Sequence, residues 1–244
     1  MFLNENYLLP NEIAQTLYHE YAKELPIIDY HCHLDPKEIY EDRPFKTITE
    51  AWLSGDHYKW RLMRACGVPE EAITGNASDY EKFLAWCQTV PKLVGNPLYS
   101  WTHLELKRFF EIDLPVTEEN AETLWRLCNE KLQQKDFTRR ALIARSNVEI
   151  VCTTDDPVDD LHYHHQLSQT EQRFRVLPTF RPDKALQIDH PNFLTYVTKL
   201  EKSVENAITT YDAFLRALRD RVTYFHQHHC RLSDHALDTL VYAA

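Results

Sequence analysis

Glycine is scarce in this sequence: four residues in 244, at positions 55, 67, 75 and 95, where ordinary usage near 7% would give roughly seventeen. None stands in a GxGxxG or GxxxxGK[ST] pattern. Loops that cradle phosphates need glycine so that backbone N–H groups can approach the ligand, which excludes the usual nucleotide-binding designs of kinases and dehydrogenases. No run approaches the roughly 20 apolar residues of a membrane span. The N-terminal "MFLNENYLLPNE" interrupts its apolar residues with Asn and Glu, so it is not read as a signal peptide. Paired CxxC spacing is also missing: the six cysteines (32, 66, 87, 128, 152, 230) are scattered and read as reduced thiols. Basic residues are outnumbered, 27 Lys+Arg against 37 Asp+Glu, and 27 − 37 = −10. That balance argues against nucleic acid as a partner, because phosphate binding needs a basic face. An anionic small substrate needs only one or two well-placed arginines and stays open. The expectation is a cytoplasmic protein with a small-molecule substrate, no nucleic-acid or membrane partner, and homo-oligomerisation left open.

What is present is organised. "NEIAQTLYHEYAKEL" (11–25) carries Ile13, Leu17, Tyr21 and Leu25 at a spacing of four, which predicts an amphipathic helix. "PIIDYHCHL" (26–34) follows with β-forming residues and predicts a strand. All four glycines and all five tryptophans then fall within 36–145. Several helical periods lie there too: "DHYKWRLMRACGV" ending at Gly67, "DYEKFLAWCQTV" stopped by Pro91, and a segment opening at Thr117–Asn120. This block reads as a helical insertion over 36–145, set into a discontinuous domain of 1–35 and 146–244. After it, strands alternate with helices. Strands are predicted near 27–32, 148–153, 175–180 and 229–234. Alternation of this kind implies βαβ units around a parallel sheet. Each strand ends in polar or titratable residues: His31 and His33, Asp155 and Asp156, Arg181, then Ser233, Asp234 and His235. Parallel α/β sheets bind ligands at the carboxyl ends of their strands.

Side chains alternate along a strand, so His31 and His33 share a face with Cα atoms roughly 6.6 Å apart. Two imidazoles at that separation suit one divalent cation, and zinc is the ion such a pair matches best. The competing reading is two strand-end histidines, one hydrogen-bonded and one in water. Cys32 faces the other way and reads as packing. Asp155, Asp156 and Asp234 are third-ligand candidates by location, although Asp156 before Pro157 equally reads as a helix cap. Asp29 shares the histidines' face and could orient one of them. Arg181, at a strand end, suits a substrate carboxylate better than the helix-surface Arg61 or Arg64. The clusters "HYHH" (162–165) and "HQHH" (226–229) read as solvated helix faces.

Taken together, "DYHCHL", "GDHYKWRLMRACGV", "TTDDPVDDL", "PTFRPDKAL" and "CRLSDHAL" resemble, in order, blocks of the uronate isomerase family of the amidohydrolase superfamily. The resemblance covers the family's N-terminal half. It implies a (β/α)8 TIM barrel, here about four βα units, with the helical insertion after the first strand. It implies aldose–ketose isomerisation of D-glucuronate to D-fructuronate and of D-galacturonate to D-tagaturonate, by proton transfer between C2 and C1. His31 and His33 would be metal ligands, with the third ligand expected in the C-terminal half. His57 and Tyr58 would be active-site residues contributed by the insertion, and His235, in a matching block, a substrate contact beside Arg181. Two other readings stay open: a metal-dependent hydrolase of the amidohydrolase type, and a non-catalytic fragment.

Overall fold

The computed structural model describes residues 3–236. In chain order the helices are α1 (Glu12–Thr16), α2 (Pro36–Glu41), α3 (Ile48–Leu53), α4 (His57–Ala65), α5 (Asp79–Thr89) and α6 (Pro97–Glu105), followed by α7 (Ala121–Leu132), α8 (Arg139–Arg145), α9 (His162–Thr170), α10 (Asp183–Leu186), α11 (Phe193–Val204) and α12 (Tyr211–Gln227). The strands are β1 (Ile27–Asp29), β2 (Val148–Cys152) and β3 (Arg175–Leu177). The chain divides into two compact units. One holds residues up to Leu25 together with Asp42–Leu142, and the other holds Pro26–Glu41 and residues from Ile143 onward.

The first unit is helical, and its helix starts are written in the sequence. Thr47 caps α3 by accepting from the Glu50 amide. Ser78 and Glu81 form a reciprocal capping box on α5, which satisfies two of the N–H groups a helix start leaves open. Gly67, at φ +81°, follows the end of α4 in the left-handed region that glycine enters without strain. These helices bury Ile48, Trp52, Phe83, Trp86, Leu124 and Cys128 against one another. Each fully buried side chain of that size contributes about 1.5–3 kcal/mol. Residues near the N-terminus belong to this unit rather than to the strand-bearing one: Tyr7 Oη lies 2.6 Å from Ser100 Oγ, and Lys107 Nζ donates to the Leu3 carbonyl at 2.5 Å. The predicted N-terminal helix is split, α1 passing into a π-helical turn at Leu17–Ala22. Its apolar stripe of Ile13, Leu17, Tyr21 and Leu25 is exposed.

The second unit is α/β. Its sheet has the order β1-β2-β3 with both pairs parallel. Val151 and Val176 sit side by side in the register and pack with Ile39, Ile143, Leu167 and Phe174, bringing α2, α8 and α9 over the sheet. A second cluster joins α10, α11 and α12 through Ala185, Tyr196, Leu200, Phe214 and Ala217. The fourth predicted strand is corrected. Residues 229–234 make only an isolated parallel bridge, Phe180 to Ser233, through Phe180 N to Leu232 O and Asp234 N to Phe180 O. The physical reason lies at the start of the segment. His229 takes φ +67° in leaving α12, and Arg231, Leu232 and Ser233 are exposed, with no apolar face to extend a ladder. Among the described residues, no helix is long and apolar enough to cross a membrane.

Candidate functional site

The carboxyl ends of the strands in the second unit gather a polar cluster. Beyond β1 the chain stays beside β2, because the Cys32 amide donates to the Cys152 carbonyl at 3.0 Å. Strand-like alternation therefore continues, and His31 and His33 fall together with ring centroids 4.9 Å apart, edge to face at 87°. Cys32 takes the opposite side and packs with the apolar layer. Burial pushes its thiol up to about 11, so it is neither a thiolate nucleophile nor a ligand at neutral pH.

Each histidine approaches a polar side chain from another segment of the unit. His33 Nδ1 lies 3.3 Å from Thr154 Oγ1, just past β2. His31 Nδ1 lies 3.1 Å from Asp234 Oδ2, and Arg181 NH1 donates to that same oxygen at 3.2 Å. Arg181 Nε donates to Asp183 Oδ2 at 2.8 Å, while Asp183 Oδ1 accepts from the Ala236 amide. The Arg181 guanidinium and these hydrogen bonds outweigh desolvation and hold the Asp183 carboxyl below its ordinary value. Among the described residues, the carboxylate that meets His31 is Asp234. His235 is exposed, its Nδ1 near the Ala236 carbonyl.

Behind this cluster lies a buried polar network in which Asp155 joins two residues that sequence reasoning missed, Thr153 and His164. Thr153 Oγ1 donates to Asp155 Oδ2 at 2.7 Å and lies 2.7 Å from His164 Nε2. With the hydroxyl proton engaged by Asp155, His164 is the donor in the second contact. The Thr179 amide also donates to Asp155 Oδ2, and the Arg181 amide donates to the Asp155 carbonyl. Asp155 and His164 are each 4% exposed. Burial lifts the Asp155 carboxyl to about 6 and pushes the His164 imidazole down to about 4. The expectation that "HYHH" is a solvated face is thus corrected at His164. The signal was available: His164 precedes Leu167 by three, a spacing that puts both on one helix face. The helix-cap reading of Asp156 is corrected: no helix starts at Pro157, and Asp156 Oδ1 instead closes a turn by accepting from the Val158 amide and also accepts from Tyr196 Oη. A cavity of about 460 Å³ opens here, lined by His33, Asp35, Thr154, Asp155, Asp160 and His164 among others, a volume suited to a small polar molecule. Arg221 braces the loop after β2, donating to the carbonyls of Pro157 and Asp159 at 2.6 Å each.

The remaining predicted residues lie in the first unit. His57 and Tyr58 open α4, where Asp56 Oδ1 accepts from the Tyr58 and Lys59 amides. Their rings lie 4.4 Å apart and inclined by 30°. Tyr58 is 59% exposed, with the Arg61 guanidinium 5.6 Å from its ring. Lys59, at the same turn, is buried with Nζ on Asp56 Oδ2 at 2.7 Å.

For a divalent cation, the donor chemistry is partly in place. His31 and His33 bring two imidazoles together, but among the described residues no group of three His, Cys, Asp or Glu side chains converges on one point. A protein-held zinc takes at least three such ligands.

The sequence pattern of the glucuronate isomerase family matches residues 1–244. A uronate isomerase from Oceanobacillus iheyensis is 55% identical over 242 residues, covering 99% of this chain and 51% of that protein. One from Bacillus subtilis is 56% identical over 243 residues, covering 99% and 51%. Among solved structures, uronate isomerase from Thermotoga maritima superposes with a TM-score of 0.92 at 44% identity, over 96% of this chain and 51% of that one. Glucuronate isomerase from Caulobacter crescentus, at 23% identity and a TM-score of 0.88, shares the fold. The chain spans about half the length of these relatives.

Proposed function

The chain belongs to the glucuronate isomerase family, and from that membership we propose that it carries the N-terminal half of a uronate isomerase site acting on a sugar acid. The reaction is the interconversion of D-glucuronate with D-fructuronate and of D-galacturonate with D-tagaturonate. The observation that carries the proposal is 55% identity running over 99% of the chain. In this reading the parallel sheet and its helices are the first βα units of a (β/α)8 barrel, and residues 36–145 are an insertion after the first strand.

Moving the carbonyl from C1 to C2 requires removal of the C2 proton and delivery of one to C1, through an enediolate. Tyr58 and His57 offer a phenol and an imidazole to hold or move a proton at the C1 and C2 oxygens. Arg181 attracts the substrate carboxylate by charge, and His235 contacts its hydroxyls. His31 and His33 would supply two nitrogen donors to a divalent metal, zinc by ligand type, with a further ligand in the part of the family's length that the chain does not span. Such an ion supplies electrostatic stabilisation of oxygen-centred negative charge.

The test joins the 244 residues to the second half of the Bacillus subtilis relative and follows D-glucuronate by proton NMR in D2O. D-Fructuronate should form, with a loss of about 10²–10⁴-fold on Tyr58→Phe. A folded chimera that leaves the sugar untouched while hydrolysing amides would transfer the site to hydrolytic chemistry. One inert to both would leave the fragment reading.

A further inference from the structure

Lysine is almost never buried unless it is paired, and the turn that opens α4 buries one. The Lys59 side chain is 7% exposed, and its Nζ donates to Asp56 Oδ2 at 2.7 Å. The Trp86 ring centroid lies 6.0 Å from the same nitrogen. Glu105 is within electrostatic reach of both members of the pair, and burial raises its carboxyl. At Asp56 the hydrogen bond and charge of Lys59 outweigh desolvation and hold the carboxyl below its ordinary value, so Asp56 is the counter-ion. Its two oxygens have separate tasks. Oδ2 takes the ammonium, while Oδ1 accepts from the Tyr58 and Lys59 amides at 3.0 Å each.

A cap alone needs no charge. Helices α3, α5 and α12 start on the hydroxyls of Thr47, Ser78 and Thr210, residue types that cap as well. What sets α4 apart is the pair of rings that follows its cap. His57 and Tyr58 are exposed, so core packing does not fix them, and the carboxylate that holds the Tyr58 amide is itself tethered from inside the unit. The terminal torsion of an aspartate is broad; a buried ammonium on one oxygen removes that freedom from the other. We propose that Lys59 is a positioning residue: through Asp56 it fixes the first turn of α4, and with it the place from which Tyr58 reaches the substrate's oxygens. The proposal rests on the reading of Tyr58 as a proton-handling residue given above.

The test uses the chimera described above as parent, Lys59→Met, Tyr58→Phe and the double variant. Methionine keeps the buried stem and removes the charge. Lys59→Met should lower kcat by about 10–10²-fold, the range that lost orientation of a site group costs. The same substitution should cost less than about twofold when Tyr58 is already phenylalanine, because the two residues act as one unit. A loss of folded protein would scale both backgrounds alike, so an equal factor in both, or no loss in the parent background, overturns the proposal. If Lys59→Met fails to fold by circular dichroism, Asp56→Asn/Lys59→Met takes its place, keeping the cap and removing both charges. A chimera without isomerase turnover sinks the isomerase reading alone. The 244-residue chain labelled with 15N-tyrosine then decides, with the Tyr58 amide assigned by its loss in Tyr58→Phe. Removing the Lys59 charge should speed hydrogen exchange at that amide, and an unchanged rate overturns the proposal.

Discussion

Replacing Asp155 by Asn should make the protein lose stability on acidification, and the size of the loss follows from two opposed groups. Folded Asp155 holds its proton to about 6, against an ordinary 3.8, because burial penalises the carboxylate. Between those values the folded state binds more protons than the unfolded state, so this group's contribution is fully present below 3.8 and is lost as pH rises through 6. The lift corresponds to about 3 kcal/mol. His164 runs the other way. Burial lowers it from 6.5 to about 4, so its contribution is present above 6.5 and is lost as pH falls through 4, again about 3 kcal/mol. Both side chains are almost wholly buried, so solvent screening takes little from either figure. In the parent chain the two contributions nearly cancel between pH 7 and 4. Asp155→Asn leaves the histidine alone and should drop stability by about 3 kcal/mol over that range relative to the parent. His164→Gln should raise it by a similar amount. Urea midpoints followed by circular dichroism at several pH values measure this, and all other titrations cancel in the difference. If both variants track the parent within about 1 kcal/mol from pH 7 to 4, burial does not govern these groups and the argument fails.

Trp86 is fully buried in the helical unit, and among the described residues its indole N–H has no hydrogen-bond partner. Trp86→Ala should cost about 3–5 kcal/mol and Trp86→Phe less than about 1.5 kcal/mol, because the phenylalanine also removes an unsatisfied donor. Thermal unfolding separates the two, and equal damage from both would contradict it. Arg221 serves the loop after β2 through a rigid fork that a lysine lacks. Arg221→Lys should therefore destabilise by about 2–4 kcal/mol and speed amide exchange at residues 158–160. Unchanged exchange there would show that the fork is not what holds the loop.

Much of the architecture is legible in local chemistry. The caps at Thr47, Asp56 and Ser78, the stop at Gly67 and the HxH spacing after β1 are properties of a few adjacent residues, and the backbone obeys them wherever they are placed. Alternation alone put His31 and His33 on one side. Other features depend on partners far away in the chain. Whether 229–234 becomes a strand turns on what covers it and on how α12 ends, so a β-like composition yields a single bridge. Whether Leu17 and Tyr21 are buried depends on a packing partner that helical periodicity cannot supply. His164 looked like one of a solvated set, and only the close approach of Thr153 and Asp155 from the segment after β2 makes it a buried donor. The same holds for Asp234 with His31 and Arg181, 203 and 53 positions apart in sequence, which come together only because the segment after α12 bridges Phe180 beyond the end of β3. Short-range sterics and hydrogen bonding wrote the elements and their side-chain phase into the sequence; burial and long-range pairing, which sum over the whole fold, decided which polar groups meet.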